Sequence, residues 1–80
     1  MKKVCILTVP ESLMVGDVAL FFTTDEVGDN LAKVSLQIDS LRENGGKTHF
    51  TGTDHTHPWI SLPVRGFLPK EGRPGKMTYG

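Results

Sequence analysis

From Ala32 to Asp39 the chain reads A-K-V-S-L-Q-I-D, apolar and polar residues in strict alternation, and Asn44-Gly45-Gly46 follows shortly after. Alternation with a period of two belongs to an extended strand, with Ala32, Val34, Leu36 and Ile38 on one side and Lys33, Ser35, Gln37 and Asp39 on the other. Asn-Gly is a strong hairpin signal, so "KTHFTGT" over 47–53 reads as the return strand. A helix over about 30–44 is the alternative. It would put Leu31, Val34, Ile38 and Leu41 on one face, with Asp29 or Asn30 as cap and Gly45 as stop, but it strands Leu36 on the polar side. Composition favours the strand: two alanines stand against eight threonines, seven valines and nine glycines.

The remaining segments agree with a sheet. "KVCILTV" over 3–9 is rich in β-branched residues and closes at Pro10. Gly16-Asp17 leads into "VALFFTT" over 18–24, and "TDEVGDN" over 24–30 carries turn chemistry. "WISLPVRGFL" over 59–68 reads as a further strand, interrupted or bent at Pro63. From Pro69 onward "PKEGRPGKMTYG" has no periodicity and reads as a basic Gly/Pro-rich C-terminal arm over 69–80, beyond a single small β domain over 1–68. The predicted fold is therefore mainly β, a small bent antiparallel barrel of four to five strands with an extended C-terminal arm. An α+β arrangement (ββαββ) is the alternative. Over residues 15–64 the entry at Gly-Asp, the long hairpin closed by Asn-Gly-Gly and the aromatic-led last strand resemble the cadence of SH3-like or chromo-like barrels.

Eighty residues make one domain with a thin core. Cys5, the single cysteine, sits in an apolar run and cannot form an internal disulfide, which points to a reducing compartment. The run from Val4 is broken by Thr8 and stopped by Pro10, too short for a leader, and nothing approaches the roughly 18 apolar residues of a membrane span. A cytoplasmic protein, or one assembled in a virion or complex, is the expectation. Nine basic and nine acidic residues cancel, but unevenly. Asp17, Asp25, Glu26 and Asp29 predict an acidic face, and Arg65, Lys70, Arg73 and Lys76 a basic one against Glu71 alone.

Chemistry-bearing residues concentrate in "GTDHTHPW" over 52–59. His55 and His57 have the spacing that faces one side of a strand, and with His49 and Asp54 they form a ligand set zinc accepts. No further histidine follows, and the next carboxylate is Glu71, so a catalytic metal site is incomplete. The serines and Cys5 lie in no nucleophile context, and Gly45-Gly46 lacks the following helix of a phosphate loop. No cofactor signature and no small-molecule substrate are evident. The reading is a non-enzymatic binding or assembly module acting through protein contacts or self-association. Its contact residues would be Trp59, Arg65, Phe67, Lys70, Arg73, Lys76 and Tyr79; the competing reading of Trp59 is a core anchor with its indole N–H satisfied at the rim. Compact chains of this kind recur among phage and accessory-genome products as structural parts or host-factor inhibitors, an analogy without a motif. The alternatives are a nucleic-acid-binding barrel, with basic residues interleaved with aromatics on a sheet face, and a zinc protein using His49, His55 and His57.

Overall fold

In the computed structural model, which describes residues 3–8, 12–25, 30–70 and 73–80, every regular element is a strand. They are β1 (Lys3–Thr8), β2 (Val18–Thr24), β3 (Ala32–Asn44), β4 (Lys47–Asp54), β5 (Val64–Phe67) and β6 (Gly75–Tyr79). Each pairs antiparallel with the next and β6 returns to β1, so six strands close into a barrel. Closure removes the unpaired edges that an open sheet of this size would expose. Among the described residues no helix is long and apolar enough to cross a membrane.

The contested segment is the long strand β3. Its first half pairs with β2, from Ala32↔Thr23 to Val18↔Gln37, and its second half pairs with β4 as far as Asn44↔Lys47. Val34, Leu36 and Ile38 point into the core as the alternation predicts, while Ala32, at the strand's start, stays exposed. Between Ile38 and Ser40 the register shifts, because Ile38 faces Gly52 and Ser40 faces Thr51. Asp39 is the extra residue of a bulge, which bends the strand and resets its phase. Leu41, not Ser40, therefore packs against the core next. The hairpin that follows turns on Gly45 and Gly46, at φ of 61° and 79°. Two successive positive φ angles make a type I′ turn, one residue later than Asn44-Gly45 suggests.

Two expectations are corrected. The strand foreseen over 59–68 begins only at Val64. Pro58 and Pro63 lack the donors a ladder needs, and Ile60 donates to His57 O (2.9 Å) inside a turn instead. The residues foreseen as an arm beyond the domain contribute β6, which lies between β5 and β1 and buries Met77 to 1% exposure. Within Gly75–Tyr79, Gly75 and Met77 face inward while Lys76 faces out, an alternation too short to see among the glycines and prolines around it. The first strand ends at Thr8, and Val9 and Pro10 lie outside the described residues.

The core holds Ile6, Ala19, Phe21, Val34, Leu36, Ile38, Phe50, Val64 and Met77, drawn from all six strands. Phe21 and Phe50 meet tilted at its centre, their ring centroids 5.8 Å apart. Gly66 lies between Phe50 and Met77 in the inward rows, where a Cβ would collide with the Lys76 carbonyl. The absent side chain lets β5 and β6 approach and leaves the space to the two larger neighbours.

Candidate functional site

With the inward rows filled by the core, the alternate positions of β3 to β6 form a continuous outer face. Cross-strand pairing sets Arg42 opposite His49, His49 opposite Phe67, and Phe67 opposite Lys76. The neighbouring outer row runs Ser40, Thr51, Arg65 and Thr78. Directly opposed residues have Cβ atoms about 5 Å apart, so these side chains share one surface. The Lys47 ammonium sits 4.3 Å from the Phe67 ring centroid, and His49 meets the same ring edge-on at 6.1 Å. Ser40 and Thr51 share a hydroxyl hydrogen bond of 2.7 Å. A shallow depression of about 500 Å³ lies over Arg42, His49, Thr51 and Arg65.

At the hairpin end this face continues into a cleft of about 700 Å³ lined by Lys47, Phe67, Leu68, Lys70 and Arg73. Lys70 and Arg73 face each other across a small β-bridge, with Lys70 N donating to Arg73 O and Arg73 N to Lys70 O. The Lys70 ammonium also donates to Gly46 O (2.6 Å), which ties the Lys70–Arg73 bridge to the hairpin. Arg42, Lys47, Arg65, Lys70, Arg73 and Lys76 thus gather on one side of the barrel. Two carboxylates lie on the same hairpin: Asp39 accepts from the Thr53 hydroxyl (3.0 Å), and Glu43 accepts from the Thr48 hydroxyl. Glu71 lies outside the described residues.

Of the residues expected to make contacts, Arg65, Phe67, Lys70, Arg73 and Lys76 are brought together here, and Trp59 and Tyr79 are not. Trp59 is 75% exposed, where the sequence suggested a core anchor, and stands in the 58–59 turn with its ring edge-on to His57 at 5.3 Å. Tyr79 turns inward. Arg42, Lys47 and His49 complete the face, and sequence reasoning did not name them for it. The signal was available in the alternation of β3 and β4, once the bulge at Asp39 is counted. The acidic face does not form among the described residues: Asp17 precedes β2 and Asp25 follows it, at opposite ends of a seven-residue strand. Glu26 and Asp29 lie outside the described residues.

The histidines divide in the same way. His49 and His55 are six positions apart in an extended chain, about 20 Å at the rise of a strand. His55 pairs with Gln37 Oε1 (3.0 Å), and His57 Nδ1 lies 2.8 Å from Asp54 Oδ2. Among the described residues no three of His, Cys, Asp and Glu converge as a metal site, so the set His49, His55, His57 and Asp54 is not assembled.

Asp54 instead closes one end of the barrel. Its side chain is wholly buried and accepts four hydrogen bonds, from Thr56 N (2.8 Å), His57 N (3.0 Å), His57 Nδ1 and the Tyr79 hydroxyl. Burial pushes the Asp54 carboxyl up, but the donors from Tyr79, His57 and Thr56 outweigh it and hold the group below its ordinary value. Burial, then the bond to Asp54 and its charge, push the Tyr79 phenol well above its ordinary value, which keeps it a donor. Asp54 orients His57 as an acid–base pair would be oriented, and His57 lines a cavity of about 420 Å³ with Thr23, Asp25, Met77 and Tyr79. Among the described residues no hydroxyl or thiol is hydrogen-bonded to His57. The four bonds to Asp54 tie the 55–57 loop, β4 and β6 together. Comparison with family models, with curated proteins and with solved structures finds no match to this chain.

Proposed function

We propose that this barrel is a binding module for single-stranded nucleic acid, engaged through the outer face of β3 to β6. One observation carries the reading: Arg42, Lys47, Arg65, Lys70, Arg73 and Lys76 surround Phe67 and His49 on a single surface. Cations spaced along a sheet neutralise successive phosphates, and an aromatic ring among them offers a base a stacking partner. The face is convex because it wraps a six-stranded barrel. A flexible single strand can follow that curve, whereas a straight duplex would meet it at few phosphates. Protein contact through an extended C-terminal arm loses its basis, since residues 75–79 are used in closing the barrel.

Fluorescence anisotropy with labelled oligothymidine and a duplex of equal length tests the proposal. The single strand is expected to bind more tightly at low salt. Arg65→Ala or Arg42→Ala is expected to weaken it roughly fivefold, about 1 kcal/mol per lost charged contact. Trp59→Ala, away from the face, is expected to leave it unchanged. No binding at low salt, or equal losses from Trp59→Ala and Arg65→Ala, would sink the reading.

A further inference from the structure

Six large apolar side chains that the core does not use lie on the opposite side of the barrel. The outer positions of β2 are Val18 (59% exposed), Leu20 (43%) and the half-buried Phe22. Met14 and Val15, also exposed, sit in the tight turn closed by Asp17 N donating to Met14 O (3.1 Å), which leads into the Val18 end, and Leu31 lies beyond the Phe22 end, because Ala32 pairs with Thr23. In the ring of six strands β2 stands three places from β5, so the apolar line faces away from the basic surface. A contiguous exposed apolar stripe on a small domain marks a contact surface.

We infer that this stripe is the interface of a two-fold dimer of the chain, with the axis crossing β2 at Leu20. Charge and shape along the stripe argue for a second copy, because both ends match when the chain is turned on itself. Such an interface must be self-complementary, residue i meeting j while j meets i. An axis through Leu20 and perpendicular to β2 lays Val18 over Phe22 of the second copy and Met14 and Val15 over its Leu31. The same rotation sets Asp17, at one end, opposite Lys33, which pairs with Phe22 at the other end. Asp17 is exposed, its carboxylate accepting from Met14 N (2.9 Å), and Lys33 reaches over the Phe22 ring at 5.9 Å. Asp25, at the Lys33 end, is engaged by the Asn30 amide (2.7 Å). The polar outer row of β3, Ser35 and Gln37, forms the rim beside the stripe. Dimerisation through β2 leaves both basic faces pointing outward.

Sedimentation equilibrium of the full chain, free of nucleic acid, separates this proposal from the binding reading. The wild-type chain is expected to reach twice its monomer mass, and Leu20→Glu to stay at the monomer mass with unchanged circular dichroism. Lys33→Glu sets like charges together twice across the axis and is expected to raise the dissociation constant roughly tenfold. Adding Asp17→Lys to Lys33→Glu is expected to recover the dimer. In a Cys5→Ser background a short bismaleimide is expected to join two Leu20→Cys chains but not two Lys76→Cys chains. A wild-type monomer at the highest soluble concentration, a Leu20→Glu chain that still dimerises, no recovery in the double variant, or cross-linking through Lys76→Cys would each overturn the proposal.

Discussion

Asp54 shows how one buried carboxylate can shape a fold this small. A charge removed from water is tolerated only when its lone pairs are filled, and here four donors fill them. Tyr79→Phe takes one donor away, and a hydrogen bond to a charged group is worth about 2 kcal/mol. Urea denaturation at neutral pH is expected to show a loss of that size. The pH dependence follows from the two shifts. Asp54 is held below its ordinary 3.8, so its contribution is present above that pH and is lost as pH falls below it. Tyr79 is held above its ordinary 10.0, so its contribution is complete below that pH and is lost as pH rises past it. Denaturation midpoints measured from pH 10 to 12 are expected to fall less steeply for Tyr79→Phe than for the wild type. An equal slope would remove this account of Tyr79.

At the scale of elements, β3 explains why helix and strand competed for one segment. The bulge at Asp39 places Ile38 and Leu41 three residues apart while both turn toward the core. That spacing is also the signature of a helical stripe. Composition and the two glycines of the hairpin pointed to the strand, and the bulge accounts for the misleading Leu41. At the other end of the chain, β6 carries Met77 into the core and supplies partners to both β1 and β5. A chain ending at Pro74 would leave two strands with unpaired edges and a void where Met77 packs. It is expected to lack a cooperative thermal transition by circular dichroism, whereas removal of a true arm would leave melting intact.

At the scale of the whole molecule, the zero net charge conceals a division between two faces. Six cations lie on one side, where the proposed strand would bind, and the apolar stripe on β2 lies across the barrel from them. If about five phosphates are neutralised, the logarithm of the binding constant for a single strand falls with the logarithm of salt at a slope near −3.5. Lys76→Ala is expected to make the slope shallower by about 0.7, as one released counterion would. Anisotropy titrations across a range of salt check both, and a slope near zero would rule out a phosphate-based contact.

The sequence by itself determined the strand character of β1 to β4, the turn after Asn44 and the inward set Val34, Leu36 and Ile38. Those signals are local: alternation, β-branched residues and glycine at a tight turn act within a few positions of one another. It also named Arg65, Phe67, Lys70, Arg73 and Lys76, because their charge and aromatic character are evident without a fold. Only the tertiary structure decided that Arg42, Lys47 and His49 join them, that the three histidines stand apart, and that Trp59 is exposed while Tyr79 is drawn onto Asp54. These depend on strand register and barrel closure. A single bulged residue or one returning strand changes which side chains meet, and no short window of sequence records that.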